Sequence, residues 1–291
     1  MNDTPEFLTV PELANLLRIK ERKVYDLAAS GDVPCSRATG KLLFPAGDVR
    51  AWIEGKKSGS AGRQARPLVV LGSHDPLLEW ALRQSECGLA TFLDGSADGI
   101  ARFAANEGVA AGLHIHDAET GDWNVVPVKR ALMDQDAVLV SFAIRRRGLV
   151  TPPEAAERFK GMRDLVGTLV AARQEASGTN VLLQHLLEDA RLLPEDLSFT
   201  EPMRSEQDAV LAVAEGQADV AFGLEAVARP FGLGFVPLID EKFDILFDRR
   251  AYFDAPVQRL MAFCRGDRFK ERALALGGYD ISDLGGVRWN A

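Results

Sequence analysis

The stretch EGKKSGSAGRQAR at residues 54–66 separates two regions of different texture, and no other feature limits the possible folds of this chain as much. It has no apolar periodicity and is rich in Gly, Ser and basic residues, the composition of a flexible linker. At 291 residues the chain is also too long for one small domain. The expected organisation is a small domain over residues 1–55, a linker over 56–66 and a larger domain over 67–291. Hydrophobic residues make up 47% of the sequence, enough for a sizeable core in the larger part.

Charge divides unevenly as well. Residues 1–66 hold 11 Lys/Arg against 8 Asp/Glu, and the remainder 23 against 34, within a net charge of −8. A mildly basic module on an acidic body suits a protein that meets phosphate at one end only. No apolar run nears the ~20 residues that span a bilayer. The start, MNDTPEFLTVPELANLL, lacks the basic and then unbroken apolar regions of a secretory signal, so a cytoplasmic protein with no membrane partner is expected. Cys35, Cys87 and Cys264 are far apart and in no metal-ligand spacing. They read as reduced thiols, with no metal and no cofactor implied.

Before the linker the pattern is helix, turn, helix, short hairpin, helix. Thr9 precedes VPELANLL with Glu12 in the capping-box position, and Leu13, Leu16 and Leu17 fall on one face. IKERKVYDLAASG gives a second helix with Val24, Leu27 and Ala28 inward, ended at Gly31. CSRATGKLLFP reads as two short strands around a turn at Thr39 and Gly40. AGDVRAWIEG closes the module as a helix carrying Val49, Trp52 and Ile53. The second helix opens with Lys20, Glu21, Arg22 and Lys23, then Tyr25, and the hairpin tip carries Ser36, Arg37, Thr39 and Lys41. Lys20, Arg22, Lys23 and Tyr25 are candidates for phosphate and base contacts from a recognition helix, and Arg37, Thr39 and Lys41 for contacts from a wing. A charge run at 20–23 is otherwise an ordinary solvated helix face.

The segment LTVPELANLLRIKERKVYDLAASGDVPCSRATGKLLFPAGDVRAWI resembles the excisionase-like branch of the MerR superfamily in order, spacing, Pro34, Phe44-Pro45 and Trp52. The resemblance implies a winged helix-turn-helix that binds double-stranded DNA.

After the linker, short apolar runs alternate with amphipathic helices, which predicts an α/β fold with largely parallel sheets. In such sheets ligands sit at the carboxyl ends of strands. Ser73, His74 and Asp75 join a strand to a helix, Ser177, Gly178 and Thr179 open another helix, and Ser96 a third. Free N–H groups at helix N-termini attract anions, so Ser73, His74, Asp75, Ser96, Ser177, Gly178 and Thr179 are candidate ligand contacts. Each Ser, Thr or Asp is equally an ordinary N-cap. His114 ends another strand, and Arg173 just before the SGT turn is a possible charge partner. Asp75 and Glu225 would repel a plain oxyanion and suit a larger ligand with donors of its own. His114 and His116 with Asp117 are too few for a metal centre.

Residues 68–288 resemble the periplasmic-binding-protein-like domain often fused to such headpieces and found at the C-terminus of some molybdopterin-biosynthesis proteins. VVLGSHDPLLEWAL, EASGTNVLLQHLL and AVAEGQADVAFGLEAVA carry the likeness. It implies a two-lobed, type II binding-protein fold with its ligand in the cleft, the expected ligand being molybdate, tungstate or a species related to the molybdenum cofactor. The expectation is thus an α/β protein with a small winged helix-turn-helix domain, acting as a ligand-responsive transcriptional regulator and paired as a homodimer or higher oligomer. An enzyme is disfavoured, because no nucleophile–base constellation, P-loop or GxGxxG occurs and three consecutive residues SHD cannot form a triad. A molybdenum-cofactor-related binding protein or enzyme with a vestigial headpiece is the alternative.

Overall fold

The computed structural model describes residues 6–37, 40–55, 65–133 and 135–291 and separates two compact units, Met1–Ala65 and Arg66–Ala291. Thr39 and most of the linker lie outside the described residues.

The first unit comprises β1 (Phe7–Leu8), α1 (Val10–Leu17), α2 (Glu21–Ala29), β2 (Phe44–Pro45) and α3 (Ala46–Gly55). The Thr9 amide donates to the Glu12 carboxylate at 2.7 Å, so α1 starts where its capping pattern places it. Arg18 in the left-handed region ends α1 and sets the short turn into α2. Leu13, Val24, Phe44 and Val49 are fully buried around one core, with Trp52 and Ile53 packed on it. Each such side chain contributes roughly 1.5–3 kcal/mol relative to exposure. Leu16 departs from expectation: it is more than half exposed, and Ala14 takes its place inside. Among the described residues the expected hairpin is also reduced to a single bridge between Ser36 and Leu43. Continuing that register would oppose Pro34 to Pro45, neither of which has an N–H to give, and β2 pairs with β1 instead.

The second unit contains β3 (Val69–Gly72), α4 (Pro76–Gln84), β4 (Ala90–Phe92), α5 (Ser96–Ala104), β5 (Ala110–Leu113), α6 (Val125–Ala131), β6 (Ala137–Thr151), β7 (Leu169–Ala171), α7 (Gly178–Asp189), β8 (Ser198–Phe199), α8 (Glu206–Ala214), β9 (Val220–Leu224), α9 (Glu225–Ala228), β10 (Gly234–Asp248), α10 (Ala255–Cys264), α11 (Asp267–Leu276), β11 (Tyr279–Asp280) and β12 (Val287–Asn290). One curled sheet runs β4-β3-β5-β10-β6-β9-β7-β8, with β11 and β12 also against β6.

Its outer pairs are parallel, as alternating strands and helices predict, but its middle is not. β10 is antiparallel to β5 and β6, and β6 to β9. The reason is topological: the chain leaves the first lobe along β6 and returns along β10, so these two 15-residue strands must oppose each other. Each lobe then packs helices on both faces of its part of the sheet. The first lobe has one core with Leu77, Phe142 and Phe243 and another with Leu71, Phe103 and Leu246. The second has Leu149, Leu183 and Phe222 on one face and Val150, Val210 and Ala221 on the other. Among the described residues no helix is long and apolar enough to cross a membrane.

Candidate functional site

Where β6 and β10 pass between the lobes, register irregularities at Pro237/Ile239 and Phe243/Asp244 bracket a short paired segment. Bulges bend a strand locally, so this segment is the natural hinge. In it Arg145 lies opposite Glu241, and Arg146 opposite Asp240. Strand side chains alternate in direction. Arg145 and Arg147 therefore share one face, and both are 1% exposed, while Arg146 points to the other face and is half exposed.

The buried face carries a chain of hydrogen-bonded polar and acidic side chains and two guanidiniums that crosses from lobe to lobe. Tyr279 Oη donates to Asp75 Oδ2 at 2.7 Å, and Arg145 Nη1 donates to the same oxygen at 2.9 Å. Arg145 Nη2 also donates to Glu241 Oε1. Arg147 Nε donates to Glu241 Oε2 at 2.7 Å, and its Nη1 to Glu206 Oε2 at 2.9 Å and Thr179 Oγ1 at 3.1 Å. His114 Nδ1 stands 3.3 Å from Glu241 Oε2. The Arg145 guanidinium carbon lies over the Phe243 ring, 4.3 Å from its centroid, a cation–π contact.

Burial opposes ionisation of Glu241, but Arg145, Arg147 and His114 outweigh it and hold its carboxyl well below the usual range. At Glu206, too, burial is overcome, by Arg147 and the Leu224 amide, and its pKa is lowered. Burial together with Asp75 pushes the Tyr279 hydroxyl well above its ordinary value.

The residues singled out from the sequence divide between this junction and its surroundings. Ser73 and Ser96 hydroxyls meet at 2.7 Å, and Ser96 Oγ accepts the His114 amide at 3.0 Å, which ties three strand-to-helix loops of the first lobe together. Asp75 is fully buried, and both its oxygens are used: one caps α4 by accepting the Leu78 amide at 2.7 Å, the other serves Arg145 and Tyr279. From the second lobe, Ser177 caps α7, and Gly178 presses so close to His114 that a Cβ there would stand 2.9 Å from the imidazole. Any larger residue would make the imidazole shift. Thr179 reaches Arg147 and Glu206.

Three candidates make no hydrogen bond to this chain of charges. His74 faces solvent and pairs with Glu79. Arg173 donates to the Met203 carbonyl at 2.6 Å, and Glu225 pairs with Arg146 at 3.0 Å on the far side of the hinge. Arg145, Arg147, Glu206 and Glu241 are site residues that sequence reasoning misses. The available signal is IRRRG inside a long apolar strand, where arginines two apart share a face.

In the first unit, Lys20, Arg22, Lys23 and Tyr25 are all exposed on the outer side of α2, away from Val24 and Ala28. Arg37 and Lys41 are exposed beside the Ser36–Leu43 bridge. The arrangement leaves these cations and one aromatic ring facing solvent.

Comparison with known proteins agrees with these two units. Residues 7–57 match a helix-turn-helix domain model, and residues 79–265 match the PBP superfamily domain. An uncharacterized protein, YvgK of Bacillus subtilis, is 25% identical over 307 aligned positions that cover 99% of both chains. Among solved structures, a cysteine-to-serine mutant of Corynebacterium glutamicum OxyR bound to H2O2 is 11% identical. Its alignment covers 92% of this chain and 89% of OxyR, with a TM-score of 0.52. A putative phosphate ABC transporter substrate-binding protein of Clostridium perfringens, with bound phosphate, is 12% identical. There the alignment covers 75% of this chain and 98% of that one, with a TM-score of 0.50. At such identities the likeness is one of fold, a small helix-turn-helix unit and a two-lobed α/β unit. With lobes joined by two crossing strands and its model matched over most of the second unit, the chain belongs to the PBP superfamily domain family and carries a helix-turn-helix domain ahead of it.

Proposed function

We propose that this protein is a transcriptional regulator that binds double-stranded DNA through α2 and changes that binding when a small anionic ligand closes the lobes of its second unit. The observation that carries the reading is the buried ionic junction itself. Burying ion pairs costs desolvation that their attraction barely offsets, so such a junction is a weak way to gain stability and a good way to fix one of two arrangements. Two guanidiniums, the α4 and α7 N-termini and the hydroxyls of Ser73, Ser96 and Thr179 form a donor set suited to an anion. Molybdate, tungstate or a molybdenum-cofactor-related species is the ligand class proposed, with Arg173 and His114 as further partners. A headpiece of this size buries little DNA surface, so a homodimer on a two-fold site is part of the proposal, as is a cytoplasmic location beside the DNA.

The test begins with DNA selected from a random pool by the full-length protein. Arg22→Ala with Lys23→Ala should weaken binding roughly ten- to a hundredfold and flatten the plot of log K against log salt by about 2, as for two lost phosphate contacts. Failure to enrich any DNA would sink the DNA-binding reading, and unchanged affinity in the double variant would sink the role given to α2. Thermal unfolding against molybdate, tungstate, sulfate, phosphate and molybdopterin-type compounds tests the sensor. A ligand at ~100 times its Kd adds about 2.7 kcal/mol. A binder that leaves DNA affinity untouched would refute the coupling.

A further inference from the structure

Glu206 is the surplus charge of the junction. Asp75 and Glu241 already pair with Arg145 and Arg147, and Glu206 is the third carboxylate beside two guanidiniums. It is not needed to start its own helix, because Ser205 and Asp208 exchange both capping hydrogen bonds of α8. Its carboxylate instead turns into the lobe junction and accepts from the Leu224 amide at 2.7 Å, Arg147 Nη1 at 2.9 Å and Thr179 Oγ1 at 3.2 Å. A guanidinium, a hydroxyl and a backbone amide converging on one carboxylate make an anion seat. Beside it Arg173 has a buried Nε with no hydrogen-bond partner among the described residues.

The seat is also the accessible end of the chain of charges. The Glu206 side chain is 17% exposed, whereas those of Arg147 and Glu241 are 1% and 0%. Asp75 is held as an α4 cap and Glu241 bridges both guanidiniums, whereas Glu206 can leave by side-chain rotation once an incoming anion takes over its three hydrogen bonds.

We propose that Glu206 is a built-in occupant of this seat, displaced by an anionic group of the ligand, and that it therefore sets a threshold against weakly binding anions. The inference rests on the cleft reading above and names the residue that governs its selectivity. A ligand must outcompete a tethered carboxylate, so only anions making further contacts with the first lobe succeed.

The experiment titrates full-length wild type, Glu206→Gln and Glu206→Ala with sulfate, molybdate and acetate by calorimetry. Glu206→Gln keeps the shape and an acceptor for Leu224, so folding is retained if the alanine variant fails. Both variants should bind at least one anion roughly ten- to a hundredfold more tightly than wild type, the equivalent of one charge-assisted hydrogen bond no longer to be displaced. Thr179→Val in the Glu206→Gln background should remove most of the gain, which locates it at this seat. A gain for acetate alone marks a carboxylate-bearing ligand; a gain for sulfate or molybdate marks a tetrahedral oxyanion. If neither variant binds any of the three more tightly, Glu206 is a structural ion pair and the proposal is overturned. No DNA enters this measurement, so it fails independently of the regulator reading, which fails on DNA affinity.

Discussion

Replacing Glu241 by leucine is expected to destabilise the two-lobed unit by about 3–5 kcal/mol, the range found when one partner of a buried ion pair is removed. Glu241 is the centre of the junction: one oxygen serves Arg145, the other Arg147, and His114 stands beside it. Without it, two guanidiniums lie side by side at the hinge, Arg145 left with Asp75 and Arg147 with Glu206. Glu241→Gln keeps the shape and one acceptor and should fall between leucine and wild type. Urea unfolding at pH 7 reads both, as a lower midpoint with an unchanged slope. The pH dependence follows from the direction of the shift. Because the carboxyl is held well below its ordinary value, its contribution is present above the usual carboxylate range and is lost as the pH falls through the lowered pKa. The gap between wild type and the leucine variant should therefore narrow towards acid. A leucine variant as stable as wild type at pH 7 would mean the junction is solvated rather than closed.

The same strand pair explains which parts of this molecule could be read from its sequence. Local signals carried through where the physics is local. Thr9 and Glu12 sit at capping spacing and make the cap, and the amphipathic repeats of α1, α2 and α3 locate the small core. The SHD and SGT loops precede helices because Asp75 and Ser177 cap them. What could not be read depends on partners distant in sequence. β6 opens with the apolar run AVLVSFAI, and three successive arginines would ordinarily sit at a solvated strand end. It continues to Thr151 because β10, almost a hundred residues later, supplies Glu241 opposite Arg145. Asp75, read as a carboxylate facing a ligand, is instead satisfied by Arg145 and Tyr279, the latter 204 positions away. The parallel pairing expected from alternation holds for the outer strands of each lobe and gives way wherever β6 and β10 take part, because the chain must go out along one and come back along the other.

Replacing Asp244 by asparagine should stabilise the protein at pH 7, by about 3 kcal/mol from the usual conversion of a pKa difference into free energy. Asp244 is buried on β10, at the first-lobe side of the hinge. Burial pushes its carboxyl up to about 6, although Asn124 donates to Oδ2 at 2.8 Å and Arg288 Nε stands 3.6 Å away. Its Oδ1 meets no hydrogen-bond partner among the described residues, the usual mark of a charge buried at a loss. The folded state thus binds this proton more tightly than the unfolded chain does. The associated stabilisation is fully present below about 4 and is lost as the pH rises through 6. Asparagine mimics the protonated acid at every pH and still offers an oxygen to Asn124. The two proteins should therefore match in stability near pH 4 and diverge up to pH 7, with the variant the more stable. Parallel stability curves across that window, or a variant weaker at pH 7, would show that Arg288 offsets the cost of the charge in full and that Asp244 is ionised in the folded protein throughout.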